Sequence, residues 1–192
     1  ITVCERWYFH DESAYLNPDP ENEGEFILPD YYESTLQSLL ERAESDPHSP
    51  KHENFGYIHP DELIVIKEGW DKPRQTPYFT ATPSLIEAAR KAIESIGEIT
   101  MPSGRVIRTT VGGNGITGSV FLDNAEYRKW ARDVYKAEAT EMESAAVGQV
   151  CFVNNVDWVI IRSISDLAGG QHGKNDENIF NNIASETGAK LL

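Results

Sequence analysis

Trp158-Val159-Ile160-Ile161-Arg162-Ser163-Ile164-Ser165-Asp166 is an apolar run that closes on two polar residues. Its near-continuous apolarity predicts a strand over Asp157–Ile164 buried on both faces, the pattern of a sheet covered by helices on either side. Polar residues just past the carboxyl end of such a strand stand where open α/β sheets build their sites. Asp166 is therefore a candidate general acid/base. The competing reading is that Ser165 or Asp166 caps the turn that follows, and the spacing leaves both open. Arg162 lies inside the apolar run, and a buried guanidinium needs an anionic partner. Arg162 and Asp166 are four residues apart, so a strand would put them on one side.

The preceding segments read as helices and strands in alternation. Thr140–Asn154 is expected to be a helix. Thr140-x-x-Glu143 fits a capping box, in which Glu143 reaches back to the cap amide. The alternative is functional: a carboxylate offers only acceptors and suits two vicinal hydroxyls of a sugar. Ala125–Tyr135 predicts a helix with Tyr127, Trp130, Ala131 and Val134 on one side. Gly112–Ser119 reads as a glycine-rich loop, but it lacks the Gly-Lys-Ser/Thr ending of a phosphate-binding P-loop. Phe121, just beyond it, is either a base-stacking ring or ordinary core. Arg105–Val111 predicts a strand.

Further upstream, Thr82 as cap, Pro83 at the first position and Gly97 at the end frame a helix with Leu85, Ala89, Ala92, Ile93 and Ile96 on one face. Ile1–Phe9 and Leu63–Lys67 predict strands. Tyr31–Ala43 and Asn178–Leu191 predict helices. Asn17–Glu25, Ser45–His59 and Gly69–Tyr78 read as loops. The alternation argues for an α/β sandwich on a mostly parallel or mixed sheet.

The 192 residues suit one domain with a substantial core. Apolar residues make up 40% and charged residues 25%, as in ordinary globular chains. A formal charge of −14 argues against nucleic-acid binding, which favours a basic face. There is no run of about 18 apolar residues, so no membrane span is expected. Cys4 and Cys151 are isolated and form neither a disulfide framework nor a zinc pattern. His10-Asp11-Glu12 and the distant His172 match no metal signature. Ile1 opens directly into a strand-like run, with neither a starting Met nor a cap, and is read as lying within a domain.

Three segments in order, Gly118-Ser119-Val120-Phe121-Leu122-Asp123, Glu141-Met142-Glu143-Ser144-Ala145-Ala146 and Ile161–Gly170, resemble the purine nucleoside phosphorylase/uridine phosphorylase superfamily. The likeness runs from about Phe79 onward and points towards methylthioadenosine/S-adenosylhomocysteine nucleosidases. Leu167-Ala168-Gly169-Gly170-Gln171 looks like plant bark-storage-type relatives. The resemblance implies a three-layer α/β/α sandwich with a central mixed sheet. It implies a single domain over 1–192 with a loop-rich excursion at about 15–78, the family's N-terminal portion lying outside these residues.

The resemblance also implies cleavage of the N-glycosidic bond of purine nucleosides, by hydrolysis or phosphorolysis. Asp166 would serve purine N7, held by Ser165 and steadied by Arg162. Phe121 would stack on the base and the Leu122 backbone would read its edge. Met142 would pack under the ribose, Glu143 would take its hydroxyls, and Glu141 would sit beside them. Aspartate at position 166, rather than asparagine, favours 6-aminopurines. No cofactor is implied, phosphate being a co-substrate if the enzyme is a phosphorylase. A homo-oligomer, dimer or hexamer, and a cytoplasmic location are expected, with a secreted or vacuolar one left open. A catalytically silent storage or purine-binding protein on the same fold is the alternative.

Overall fold

A computed structural model describes residues 1–30, 53–100, 104 and 106–170. The helices expected over 31–43 and 178–191 lie outside these residues. The chain runs through β1 (Thr2–Val3), β2 (Arg6–Phe9), β3 (Ser13–Tyr15), β4 (Asn17–Pro18) and β5 (Phe26–Ile27). It continues with β6 (Ile58–Pro60), β7 (Leu63–Val65), β8 (Arg74–Thr76), β9 (Phe79–Thr80) and helix α1 (Pro83–Ile96). Then come β10 (Ile99–Thr100), β11 (Val106–Ile107), β12 (Thr110–Val111), β13 (Asn114–Thr117), α2 (Ala125–Tyr135), β14 (Ala137–Glu141) and α3 (Ser144–Val153).

The central sheet has the order β14-β13-β2-β9. β13 is parallel to both β14 and β2, and β9 is antiparallel to β2, so the expected mixed sheet is present. β1 pairs in parallel with β12 and carries the β2–β13 ladder back past a break at Cys4–Glu5. Strand alternation sends Trp7 and Tyr8 to opposite faces. Trp7 joins Val3, Phe79, Ile86, Ala145 and Trp158 in one core. Tyr8 joins Ile116, Trp130, Ala131, Val134 and Tyr135 in the other. α1 and α3 bring residues to the first core and α2 to the second, giving three layers. The excursion contributes short antiparallel ribbons, β3 with β6, β4 with β5 and β7 with β8. Among the described residues, no helix is long and apolar enough to cross a membrane.

α1 spans the expected residues between Thr82 and Gly97. Its inward face is the one read in the sequence: Leu85, Ala89, Ala92 and Ile93 are half-buried around the buried Ile86, and only Ile96 of the expected set is exposed. Thr82 does not cap with its side chain. Its hydroxyl instead accepts from the Trp158 amide at 2.9 Å and meets Asp157 Oδ1 at 3.2 Å. α2 spans the expected residues, and Asn124 Oδ1 accepts from the Glu126 and Tyr127 amides at 3.0 and 2.9 Å, satisfying two free donors of its first turn.

Three expectations are corrected. The glycine-rich stretch Gly112–Ser119 contains β13, a strand inside the central sheet. Its glycines make room rather than a loop: a Cβ at Gly115 would overlap the indole of Trp7. The helix expected over Thr140–Asn154 begins only at Ser144, because Ala137–Glu141 pairs in parallel with β13. Tertiary pairing overrides the local capping pattern, and Thr140 is a strand residue. The strand expected over Asp157–Ile164 is reduced to a single antiparallel bridge between Thr2 and Arg162. The neighbours touch it at separate points, Thr82 at Trp158 and Thr2 at Arg162, so no ladder builds. Its burial falls accordingly from Trp158 to the exposed Ile164.

Candidate functional site

The strand ends of β13 and β14 and the start of α3 converge on one carboxylate. Thr117 and Glu141 are register partners across the β13–β14 pair, and the Thr117 hydroxyl donates to Glu141 Oε1. Glu141 then caps α3. Its carboxylate accepts from the Glu143 amide at 3.1 Å, from the Ser144 amide at 3.0 and 2.9 Å and from the Ser144 hydroxyl at 2.8 Å. A carboxylate at a helix N-terminus also faces the positive end of the helix dipole. The capping box anticipated on Thr140 and Glu143 is thus replaced: Glu143 occupies the cap position without a side-chain cap bond, and Glu141 supplies the acceptors.

Arg162 finds the carboxylate partner its sequence context demanded. Its Nη2 pairs with Glu141, reaches Glu143 at 3.2 Å and donates to the Ser144 hydroxyl at 2.9 Å, while Nε donates to the same hydroxyl at 3.0 Å. The Thr2 bridge fixes its backbone through bonds of 2.8 and 2.9 Å. Glu141 is largely buried, whereas the Glu143 side chain is 64% exposed. The two carboxylates therefore sit in different surroundings although they are two residues apart.

Asp166 follows on the same segment. The Ser165 hydroxyl donates to Oδ2 at 2.8 Å, and Oδ1 accepts from the Ala168 amide at 2.7 Å. The second bond is the turn cap that the sequence left open; the first is the Ser165 contact that the resemblance implied. Both coexist. The turn after Asp166 is docked on the start of α2. A Cβ at Gly169, whose φ is +82°, would stand 2.7 Å from the Asn124 nitrogen, so only glycine fits there. Arg128 donates to the Leu167 carbonyl at 2.7 Å, and its guanidinium occupies the space where a Gly170 side chain would go. The Leu-Ala-Gly-Gly run thereby ties Asp166 to the Leu122–Arg128 region.

These residues border a cleft of about 670 Å³. Leu122, Glu141, Arg162, Ser165 and Asp166 all line it, together with Ile116, Ala139, Ile164 and the basic edge of α2. Arg162 and Asp166 share this cleft, as their spacing suggested, although no regular strand carries them. Glu143 stands beside the cleft through its contact with Arg162. Phe121, 65% exposed, and Met142, 44% exposed, are not among the lining residues. Sequence reading missed Thr117, Ser144 as a hydroxyl, and Arg128. Thr117 closes an apolar-flanked strand, and Arg128 lies one helical turn beyond an Asn cap, which are signals too common to single out alone.

A second buried polar pair lies against α2. His10 Nδ1 is 2.7 Å from the Tyr127 hydroxyl, and burial lowers the imidazole pKa below 6.5, with Asp11 and Glu141 opposing. Burial also pushes the Tyr127 phenol up.

A three-layer sandwich on a mixed sheet, with carboxylates gathered at parallel strand ends, defines the α/β class to which comparison with known proteins gives a family. Residues 16–192 match the family model of the phosphorylase superfamily, and the chain belongs to that superfamily. A 5′-methylthioadenosine/S-adenosylhomocysteine nucleosidase of Chromohalobacter salexigens is 31% identical over 110 residues, covering 57% of this chain and 43% of the relative. The protein of the same name from Psychromonas ingrahamii is 39% identical over 92 residues, covering 47% and 36%. The chain thus spans less than half the length of these relatives.

Among solved structures, the Campylobacter jejuni nucleosidase superposes with a TM-score of 0.54 at 17% identity, over 99% of this chain and 58% of that one. A Helicobacter pylori enzyme variant with 5′-methylthioadenosine in its active site gives 0.56 at 19% identity, over 99% and 57%. At such identities these likenesses show the shared fold.

Proposed function

We propose that the cleft binds a purine nucleoside, with a 6-aminopurine base, and that the protein carrying this chain cleaves its N-glycosidic bond. The observation that carries this reading is the convergence of Asp166, held by Ser165, with Glu141 and Arg162 on one cleft, Glu143 standing beside it on Arg162. The names of the relatives, nucleosidases acting on methylthioadenosine and S-adenosylhomocysteine, support it.

In the reaction, the C1′–N9 bond breaks and its electron pair goes to the base. A proton held at Asp166 passes to N7, so the purine leaves neutral. The oxygen of water, which gives up a proton to the solvent, or an oxygen of phosphate forms the new bond to C1′. Positive charge grows on the sugar as the bond breaks, and a carboxylate beside the ribose stabilises it. Glu143 takes that place, accepting from the sugar hydroxyls. The Leu122 backbone, on the cleft wall, reads the edge of the base, and the exposed Phe121 and Met142, which do not line the cleft, turn in over the base and under the ribose when the nucleoside binds. No cofactor is required. Hydrolysis is favoured over phosphorolysis by the Glu-Met-Glu-Ser-Ala-Ala sequence and by the relatives' names.

The test is release of adenine from methylthioadenosine and adenosine by the full-length protein, with and without phosphate. Release independent of phosphate supports hydrolysis, and release only with phosphate supports phosphorolysis. Purine binding without release would support the silent storage reading, and neither binding nor release would overturn the assignment.

A further inference from the structure

We propose that Thr117 is a positioning residue that commits Glu141 to capping α3 and so leaves Glu143 as the carboxylate presented to the sugar; the sugar part of this rests on the nucleoside reading above. Thr117 is 2% exposed and sits between two partners. Its hydroxyl donates to Glu141 Oε1 and accepts from the Ala145 amide at 2.9 Å. Neither role can be reversed, because an ionised carboxylate only accepts and an amide N–H only donates. A hydroxyl has one proton and two lone pairs, and this site uses the proton and one pair.

The consequence falls on Glu141. Two carboxylate oxygens offer about four lone-pair directions. The hydroxyls of Thr117 and Ser144, the amides of Glu143 and Ser144, and Arg162 take them up. Glu141 retains no acceptor for a vicinal diol. Glu143, by contrast, is mostly exposed, and among the described residues its carboxylate has Arg162 as its one ion-pair partner. The backbone of Glu143 is held through its own amide on Glu141. Thr117 therefore sets where Glu143 begins, through Glu141, without touching the ligand.

The experiment compares Thr117→Val, which keeps the shape and removes the hydroxyl, with Thr117→Ser, which restores it, in the full-length protein. Two readouts are taken: amide hydrogen exchange at Ala145 without ligand, and calorimetric affinity for methylthioadenosine and for adenine. The expected result for Thr117→Val is exchange at Ala145 faster by about tenfold or more, and about tenfold weaker methylthioadenosine binding, the loss of roughly one hydrogen bond. Adenine, which lacks the ribose, should bind within about twofold of wild type, and Thr117→Ser should restore both measurements. Unchanged Ala145 exchange, or equal weakening of methylthioadenosine and adenine, overturns the proposal. If the wild-type protein binds no nucleoside, the nucleoside reading and the sugar role of Glu143 fail, while the exchange arm still decides whether Thr117 locks Glu141. Should Thr117→Val not fold, Thr117→Ala, which also removes the hydroxyl without adding a second methyl, takes its place in both readouts.

Discussion

Gly115 lies opposite Trp7 in the parallel β2–β13 ladder, and the indole covers the place where any larger residue at 115 would put its side chain. Trp7 is fully buried in the core beneath α3. Gly115→Ala should destabilise the fold by about 1–3 kcal/mol, the usual range for forcing extra volume into a packed core. The loss should be less than additive with Trp7→Leu, which vacates the contested space. Urea denaturation of the two single variants and the double variant measures the coupling.

Arg162 is the only described cation that touches Glu141, Glu143 and the Ser144 hydroxyl together. Arg162→Ala leaves the largely buried Glu141 carboxylate without a counter-charge. A cost of about 2–3 kcal/mol follows, discounted for the partial exposure of Arg162. Arg162→Lys keeps the charge but loses the planar fork, so it should recover only part of that stability in the same unfolding assay.

Asn124 satisfies two amides at the start of α2, which in turn carries Arg128 onto the turn after Asp166. Asn124→Ala should cost about 1 kcal/mol. Asn124→Asp, which keeps the acceptor, should cost less. Thermal melts of the two variants decide.

His10 supplies a pH dependence. Burial lowers its folded pKa below the ordinary 6.5, and His59 is lowered likewise by burial. Between the folded and unfolded pKa values the unfolded chain binds more protons, so stability rises with pH in that window. The contribution is complete above about 6.5 and is lost as pH falls below it towards the folded value. The melting temperature should therefore drop between pH 7.5 and 5.5, and His10→Gln should flatten part of that drop, leaving the share due to His59.

Much of this architecture can be read from local signals. Pro83 and Gly97 bracket one helix and the spacing of Tyr127, Trp130, Ala131 and Val134 marks the other, and alternation in Arg6–Phe9 divides Trp7 from Tyr8. What local reading misplaces depends on distant partners. Gly112–Ser119 reads as a loop because nothing nearby in sequence shows that Trp7 needs a glycine across the ladder. Thr140 reads as a helix cap because its pairing with Ile116 lies 24 positions away. The same holds at the site: Asp166, Arg162 and Glu143 announce themselves by position in their segments. Thr117 acquires meaning only when β13 is laid beside β14.

The most direct test of the account is the rate of adenine release from methylthioadenosine by full-length protein carrying Asp166→Asn, with folding verified by its melting profile. If Asp166 delivers the proton to the leaving purine, the rate should fall by at least about 10²-fold while the melting temperature stays close to wild type. An Asp166→Asn protein that releases adenine at the wild-type rate would contradict the account.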